Sequence, residues 1–373
     1  MEEMEETKMT ISRKIMVTVL AVAMGGILIT ASGLNARVTK AADYSFAGDI
    51  VGQGGAALDL FVSEMQYNFE NAGYDFQIYN DNFTADTQMS NVETMAGRGY
   101  DGLLVYGWNT AAYEQISSIL KSAGAYFTMF DQIPNDETVI EMLNENEYYL
   151  GCVGTDSYAE GAQAAQNMLA DGYTQALILG GSVGDTIHDK RVAGFTDAFT
   201  EGGGTLMAAA RCTDPSEGTQ KCEDLLIANT QAQAIYALSG DYAVAAIAAL
   251  DNHSDLDMKV YVSGATAENI PYIKDGTIAY ADSGSKIVIS IASALLINNA
   301  KGNRITDEDG NAPHFNNVVP FVITADNADD FSKYYLEGHP LSADQFAQLI
   351  ADDVTYETFV EFIENYGLET STN

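Results

Sequence analysis

The sequence predicts an α/β protein with two doubly wound, parallel-sheet lobes joined by a three-crossing hinge. From residue 43 onward, short apolar runs alternate with segments of helical periodicity. The runs are nearly continuous in apolar residues, as is typical of parallel strands covered on both faces by helices. Ten such runs are too many for one compact sheet, so we divide them between two lobes.

The predicted strands follow in chain order. Four precede residue 132, with the sequences SFAGDIV, YDFQIYN, DGLLVYG and AYFTMFD. A second series has the sequences YYLGCVG, QALILGG, GTLMAAA, AQAIYAL, MKVYVSG and GTIAYAD. Helical periodicity occupies the segments 57–72, 86–98, 111–123, 158–170, 188–201 and 243–252. The acidic tail, 324–373, predicts two or three short amphipathic helices packed on a lobe.

The predicted lobes are discontinuous in the chain. Residues 43–153 plus 284–318 form the N-terminal lobe, and residues 154–283 plus 319–373 form the C-terminal lobe. The crossings are expected near Gly154–Ser157, Asp282–Lys286 and Asn316–Pro320.

Residues 1–42 differ from the rest of the chain. Arg13 and Lys14 precede an apolar run from Ile15 to Ala31, and small residues follow, which is the order of a secretory signal peptide. Cleavage between Ser32 and Asp43 would make the mature protein extracytoplasmic, in the periplasm or at the cell surface. A retained membrane anchor is the alternative, although the apolar run barely spans a bilayer.

Charge and cysteine content narrow the function classes. The formal net charge of −36 argues against nucleic acid and anionic lipid, both of which require clustered Lys and Arg. No Cys/His spacing resembles a zinc site, and we predict neither a metal nor a cofactor. Cys152 lies in an apolar stretch and is expected in the core. Cys212 and Cys222 are either a disulfide of an exported protein or two free thiols.

Loops after the carboxyl ends of parallel strands form the ligand site of such sheets. Here these loops are rich in glycine and polar residues, as in GQGG, GTDS and ADSGS. They supply Gln53, Asp156 and Asp282 as candidate ligand contacts. Two lobes whose loop ends face each other would enclose a cleft.

The segment HDKRVAGF, 188–195, concentrates scarce positive charge just after a strand-end loop. Arg191 falls in the first turns of a predicted helix and is expected at the cleft, where its planar donors suit paired ligand oxygens. Gly194 is expected to let this helix approach the sheet. The alternative is an exposed basic turn paired with neighbouring acids.

Several segments resemble the ribose/galactose-binding group of type I periplasmic solute-binding proteins, which serve sugar ABC transporters. YYLGCVGTDSYAEGAQAAQNML is similar to that group's crossing into the second lobe, and DKRVAGFTDAF to its R-x-x-G-F helix. KDGTIAYAD is similar to the strand before the return crossing, and the resemblance spans roughly residues 43–325.

The resemblance implies specific ligand contacts. Arg191 matches the group's sugar-contacting Arg, Asp131 and Gln132 match the pair after the fourth strand, and Asp241 matches a later acid. The chain departs from the group in three ways. Gly240 replaces an Asn, Gly264 replaces an Asp, and GQGG replaces a loop with a stacking aromatic residue. Trp108, one loop later, is the expected substitute for that aromatic residue.

The resemblance therefore implies a monomeric receptor, not an enzyme, that captures a small polar ligand, a sugar, and delivers it to an ABC permease. A sensor that presents ligand to a chemoreceptor or membrane kinase is the first alternative. An exported enzyme is the second. VGQGGAA approximates a dinucleotide-binding turn through Gly52, Gly54 and Ala57, with Asp81 as the partner acid, but this signal is weak.

Overall fold

The computed structural model describes residues 44–253 and 255–368, and these form two six-stranded sheets. The first sheet has strand order β11-β5-β4-β3-β1-β2 and the second has β12-β10-β9-β8-β6-β7. The strands of the first sheet are β1 (Ser45–Ile50), β2 (Asp75–Asn80), β3 (Gly102–Tyr106), β4 (Phe127–Phe130), β5 (Tyr149–Thr155) and β11 (His314–Val318). Those of the second are β6 (Gln175–Leu179), β7 (Thr205–Ala210), β8 (Ala234–Ala237), β9 (Lys259–Val262), β10 (Ile278–Asp282) and β12 (Val322–Ile323).

Helices connect the strands and cover both faces of each sheet. They are α1 (Ala56–Asn71), α2 (Ala85–Arg98), α3 (Tyr113–Ala123), α4 (Glu137–Asn144), α5 (Ser157–Ala170), α6 (Thr186–Glu201), α7 (Gly218–Ala228), α8 (Gly240–Asp251), α9 (Ile270–Lys274), α10 (Ile287–Ala300), α11 (Ala328–Asp330), α12 (Ala343–Leu349) and α13 (Tyr356–Glu364). A π-helical turn, Phe331–Leu336, follows α11 directly.

All strand pairs are parallel except β10 with β12. The predicted fold class, two doubly wound parallel sheets, is therefore confirmed. The sequence analysis missed β11 and β12. β11 carries two consecutive exposed asparagines, Asn316 and Asn317, and β12 has only two residues, so neither forms an apolar run.

The chain passes between the two sheets at three places. Residue 156 separates β5 of the first sheet from α5, which packs against α6 of the second lobe. Residues 283–286 connect β10 with α10, which packs against β3, β4 and β5. Residues 319–321 connect β11 with β12. The sequence analysis expected the third passage to begin at Asn316, which lies within β11. The passage begins just beyond that strand, at residue 319.

Helix α10 is the central helix of the first lobe. Its sequence, IVISIASALLINNA, is apolar all round, and every residue from Ile287 to Asn298 is buried. A helix with no polar face must be covered on all sides. The β-sheet covers one side of α10, and α1 and α12 cover others.

The C-terminal tail divides between the two hydrophobic cores. Its first part, with Phe331 and Tyr335, packs into the core of the second sheet. The later part packs into the core of the first sheet through Leu341, Phe346, Leu349, Val354, Phe359 and Ile363. Assigning all of 319–373 to the C-terminal lobe was therefore wrong for residues 341–363. These apolar side chains cover α10 and β11, which belong to the first lobe.

All three cysteines are buried free thiols, so the structure contains no Cys212–Cys222 disulfide. Cys152 lies on β5 in the first lobe's core, as predicted. In the described part of the chain, no helix is both long enough and apolar enough to span a bilayer. The predicted signal peptide, residues 1–42, lies outside the described residues.

Candidate functional site

A cleft of about 580 Å³ lies where the carboxyl ends of the two sheets face each other. Both lobes and the 283–286 connection line it. The aromatic, charged and hydrogen-bonding side chains of its lining include those of Phe61, Phe83, Tyr106, Trp108, Asp131, Gln132, Asp185, His188, Arg191, Asp241, Tyr242, Ser285 and Lys286. The cleft brings together five of the eight predicted contacts: Trp108, Asp131, Gln132, Arg191 and Asp241.

The other three predicted contacts lie outside the cleft lining. Gln53 is exposed and accepts a 3.5 Å hydrogen bond from Asn80. Asp156 is exposed and caps α5, where it accepts a hydrogen bond from the amide of Ala159. Asp282 is buried at the end of β10, behind the lining residues Gly264 and Gly284.

Trp108 follows β3 and contributes an indole ring to the first wall of the cleft. Its Nε1 donates a 2.9 Å hydrogen bond to Oδ2 of Asp81, which is fully buried after β2. Phe61 from α1 and Tyr106 from the end of β3 add further rings to the same wall. The first wall is therefore largely aromatic.

Phe83 is an aromatic residue of this wall that the sequence analysis missed. Its backbone φ is +56°, and its side chain is 65% exposed at the cleft. The ring covers Gly52 so closely that a Cβ at position 52 would lie 2.1 Å from the ring. Gly52, the first glycine of GQGG, thus leaves room for the Phe83 ring, which comes from the next strand-end loop. The dinucleotide alternative requires a phosphate at the place that this ring occupies.

Asp131 is the principal acid of the first wall. Its Oδ2 accepts a 2.7 Å hydrogen bond from the Tyr106 hydroxyl, and its Oδ1 accepts one of 2.6 Å from Ser285. Burial raises the pKa of Asp131, against the opposing effects of these hydrogen bonds and of Arg191. Its φ of +66° is unusual for a non-glycine residue, and such strain concentrates at functional sites.

Gln132 connects the two walls directly. Its Oε1 accepts a 3.1 Å hydrogen bond from the Thr186 hydroxyl, and its Nε2 lies 3.5 Å from Oδ2 of Asp185. Thr186 and Asp185 belong to the N-terminus of α6 in the second lobe. The lobes therefore contact each other across the cleft in this structure.

The second wall is built around the N-terminus of α6. Asp185 caps this helix by accepting a hydrogen bond from the amide of His188, whose ring Nδ1 lies 3.3 Å from Oδ2 of Asp185. Burial alone would raise the pKa of Asp185, but His188 and Arg191 outweigh it and lower the pKa to about 2. Asp185 is therefore ionised at neutral pH.

The loop before α6 is held from outside the cleft. Arg211 donates hydrogen bonds of 2.8 Å to the carbonyl of Gly181 and 2.6 Å to that of Ser182. The same guanidinium lies 2.7 Å from Asp189. These bonds fix the glycine-rich loop that forms one edge of the cleft.

Arg191 lines the cleft but is only 5% exposed. Its Nε donates a 2.6 Å hydrogen bond to the buried Glu160, and its Nη1 donates one of 2.7 Å to the carbonyl of Leu238. Burial would lower the pKa of Arg191, but Glu160 and other negative groups raise it overall. The exposed basic turn of the alternative interpretation is therefore wrong.

Gly194 acts differently from the expectation. A Cβ at this position would lie 2.0 Å from the carbonyl oxygen of Tyr158, so Gly194 lets α6 approach α5 and not the sheet. This close approach brings Glu160 on α5 within reach of Arg191.

Asp282 completes a buried group of charges with Arg191 and Glu160. Its Oδ1 accepts hydrogen bonds from the amides of Gly264, at 2.6 Å, and Gly284, at 3.1 Å. Burial and the Glu160 charge raise the pKa of Asp282 to about 6, although Arg191 acts in the opposite direction. Asp282 thus supports the cleft floor through backbone amides.

Asp241 lies in the first turn of α8 and faces the cleft half-buried. Burial and the neighbouring Glu268 raise its pKa. Tyr242, the next residue, and Lys286 from the connection also line the cleft. Sequence reasoning did not name Tyr242 or Lys286 as contacts, although Tyr242 follows the predicted contact Asp241 directly and Lys286 ends the predicted crossing Asp282–Lys286.

Within the described residues, no group of three or more His, Cys, Asp or Glu side chains has the geometry of a metal site. The cleft is instead an arrangement of rings, carboxylates and hydrogen-bond donors. Such a lining binds a small polar molecule by stacking and hydrogen bonding.

Comparison with known proteins identifies the architecture. The family profile described as "periplasmic binding protein domain" matches residues 56–304. A search of curated protein sequences finds no match.

Solved structures of similar fold are numerous. An ABC transporter periplasmic solute binding protein from Actinobacillus succinogenes, with bound D-allose, superposes with a TM-score of 0.68 and 18% identity, covering 77% of this chain and 99% of that one. A solute binding protein from Burkholderia graminis, in complex with D-arabinose, has a TM-score of 0.66 and 18% identity, covering 77% and 97%. A third, from Bacillus halodurans with bound myo-inositol, has a TM-score of 0.64 and 18% identity, covering 80% and 100%.

Proposed function

This chain belongs to the periplasmic binding protein domain family, and on that premise we propose that it is an extracytoplasmic receptor for a sugar or related polyol. In this proposal it captures the ligand in the interlobe cleft and delivers it to a membrane ABC permease. It does no chemistry on the ligand, in keeping with a family of binding proteins. The N-terminal segment directs export, and the mature protein acts as a monomer.

The observation that carries the proposal is the different chemistry of the two cleft walls. The first wall presents the rings of Trp108, Phe61 and Phe83, which suit the apolar face of a sugar ring. Asp131 and Asp241 offer carboxylate oxygens that accept from hydroxyls. Arg191 offers charged donors from the opposite lobe. Proteins of this fold with bound D-allose, D-arabinose and myo-inositol support a neutral polyol as the ligand class.

Hinge closure is the proposed working motion. The segments at residue 156, 283–286 and 319–321 join the two sheets, and 337–340 lead the tail from the second lobe back to the first. Rotation of a few backbone torsions in these segments would let the lobes separate. The proposed lobes are residues 44–155 with 287–318 and 341–363, and residues 157–282 with 322–336. The contacts of Gln132 with Thr186 and Asp185 would break on opening and re-form around the ligand.

A thermal-shift screen with D-allose, D-arabinose, myo-inositol and a wider set of sugars tests the proposal. A ligand at 100-fold its Kd stabilises the folded state by about 2.7 kcal/mol. Small-angle scattering with the confirmed ligand should then give a smaller radius of gyration than without it. Asp131→Ala should abolish both responses, while Asp101→Asn, at the far end of the first sheet, should preserve them.

Two results would contradict the proposal. One is a failure of every sugar and polyol to stabilise the protein. The other is an unchanged radius of gyration with a ligand that calorimetry shows to be bound. Turnover of any added sugar, detected by chromatography, would favour the enzyme alternative.

A further inference from the structure

Two carboxyl groups are buried side by side behind the first wall of the cleft. Asp49 on β1 and Asp81 after β2 are both fully buried, and they lie on adjacent parallel strands that pair Ile50 with Asn80. Asp81 also holds the Trp108 indole, which faces the cleft. Through Trp108, the pair is therefore connected to the proposed ligand site.

The groups around the pair are uncharged. From α2, Gln88 donates to Oδ2 of Asp49 at 2.8 Å and Asn91 donates to Oδ1 of Asp81 at 2.9 Å. The amide of Tyr106 on β3 donates to Oδ1 of Asp49 at 2.7 Å, and the Trp108 indole faces Asp81. Among the described residues, no Lys, Arg or His forms an ion pair with either acid.

This pocket has more hydrogen-bond acceptors than donors. The Oε1 of Gln88 is buried, and no described residue donates a hydrogen bond to it, although its Nε2 donates to both Asp49 and the carbonyl of Tyr106. Two neighbouring buried carboxyl groups are not both ionised without a compensating cation. A proton shared by the two acids would remove one of the two charges.

We propose that Asp49 and Asp81 share one proton in the folded protein, and that this pair is the positioning device for the Trp108 ring in the cleft. Asp49 carries the proton and donates it to Asp81. Asp81 remains the negative acceptor of the Trp108 N–H and of Asn91, because hydrogen bonds to an ionised acceptor are the stronger ones. Burial and the mutual charge raise the pKa of Asp49 well above its ordinary value, in agreement with this assignment.

Ligand binding in the proposed receptor should depend on this proton, and this expectation rests on the proposed function. When alkaline pH removes the shared proton, the two carboxylates repel, and Asp81 and the ring it holds must move. Affinity for a stacked ligand should then fall at alkaline pH. An Asn at position 49, which is neutral and can donate from its amide, should remove that dependence.

Infrared difference spectroscopy of the ligand-free protein is the first test. The difference between wild type and Asp49→Asn at pH 7 should contain the carbonyl band of a protonated carboxylic acid. A difference that contains only carboxylate bands would show that Asp49 is ionised, and it would overturn the proposal. No ligand is needed, so this result is independent of the receptor function.

Fluorescence is the second test, because Trp108 is the protein's single tryptophan. Asp81→Ala should shift the emission to longer wavelength and reduce the ring's protection from acrylamide, whereas Asp49→Asn should preserve both. Asp101→Asn is the matched control, since Asp101 accepts from the amide of Ser45 at the opposite end of the same sheet. Wild-type emission and quenching in Asp81→Ala would refute the positioning role.

A double-mutant cycle links the pair to binding once a sugar ligand is confirmed. Asp81→Asn should weaken binding about tenfold, the equivalent of one lost hydrogen bond. In the Trp108→Phe background, where the indole N–H is absent, the same change should have no effect. Equal losses in both backgrounds would mean that Asp81 acts by another route.

Discussion

The two walls of the cleft are backed by two buried groups of charges that are balanced in different ways. Behind the second wall, Glu160 and Asp282 flank Arg191, and the guanidinium bonds directly to Glu160. Behind the first wall, Asp49 and Asp81 are buried on adjacent strands, and no Lys, Arg or His of the described residues forms an ion pair with either. Similar acids at equivalent depths thus depend on an arginine in one lobe and on a proton in the other.

The comparison shows how a very acidic chain maintains polar groups beneath a binding site. With 17 Lys and Arg against 53 Asp and Glu, cations are scarce. The second lobe places one of these cations, Arg191, between its buried acids, where the guanidinium also reaches the cleft. The first lobe supports an aromatic ring, which needs only an acceptor for its N–H, so a protonated acid pair suffices. Four variants test this difference between the lobes.

Arg191→Ala should cause the largest effect, because it leaves Glu160 buried without its cation. Removing one partner of a buried pair lowers the free energy of unfolding by about 3–5 kcal/mol. Urea denaturation of wild type and variant measures this loss. The sequence analysis expected Arg191 only as a ligand contact; its 5% exposure and its bond to Glu160 now predict a loss of stability as well as a loss of affinity. An unchanged denaturation midpoint would show that Arg191 does not balance these acids.

Asp282→Asn should change the pH dependence of stability. The pKa of Asp282 in the folded state, about 6, exceeds its ordinary value of 3.8, so folding favours the protonated acid. Its contribution is therefore complete below about pH 4 and is lost as the pH rises through 6. Relative to the variant, wild type should lose up to about 3 kcal/mol between pH 4 and pH 7.

Denaturation of both proteins at a series of pH values measures that difference. The other raised acids are common to both proteins and cancel. Parallel stability curves would contradict the assignment of a raised pKa to Asp282.

Glu160→Gln tests whether the Glu160 charge sets the pKa of Asp282. The Glu160 charge raises the pKa of Asp282, so neutralising it should move the Asp282 transition to lower pH. The lost charged hydrogen bond to Arg191 should also lower stability by about 2 kcal/mol. The same pH series, compared between Glu160→Gln and the double variant with Asp282→Asn, locates the transition. An unmoved transition would mean that the two acids do not interact.

Lys190→Ala should have the smallest effect. Lys190 neighbours Arg191 in sequence but is outside the cleft lining, and no described carboxyl group lies within ion-pair distance of its amine. Lys190 is only partly buried and has no buried charged partner, so its substitution should change stability by about 0.5 kcal/mol or less. Urea denaturation and ligand titration, run beside Arg191→Ala, provide the control. A loss as large as that of Arg191→Ala would mean that positive charge alone, and not the bond to Glu160, matters in this helix.

The sequence by itself determined the fold class and the edge of the sheets at which the cleft lies. Alternating apolar runs and helical segments depend on local periodicity, which parallel sheets impose on every strand they bury. The rule that ligands lie beyond the carboxyl ends of strands then pointed to the edge of the sheets at which the cleft lies. The candidates drawn from that rule, Gln53, Asp156 and Asp282, lie outside the cleft lining, whereas Trp108, Asp131, Gln132 and Asp241, which the family resemblance implied, line it. These conclusions need only neighbours in the chain and the order of the strands.

The tertiary structure alone decided which side chains are partners. The bond between Glu160 and Arg191 joins residues 31 positions apart, and the Asp49 carboxyl meets one 32 positions later in the chain. Phe83 covers Gly52 from a different loop, and Phe346 and Phe359 pack on the first lobe after the chain has left the second. Such pairings depend on how two helices cross or on which surface of a lobe remains uncovered. The periodicity of a sequence does not show which distant residues come into contact.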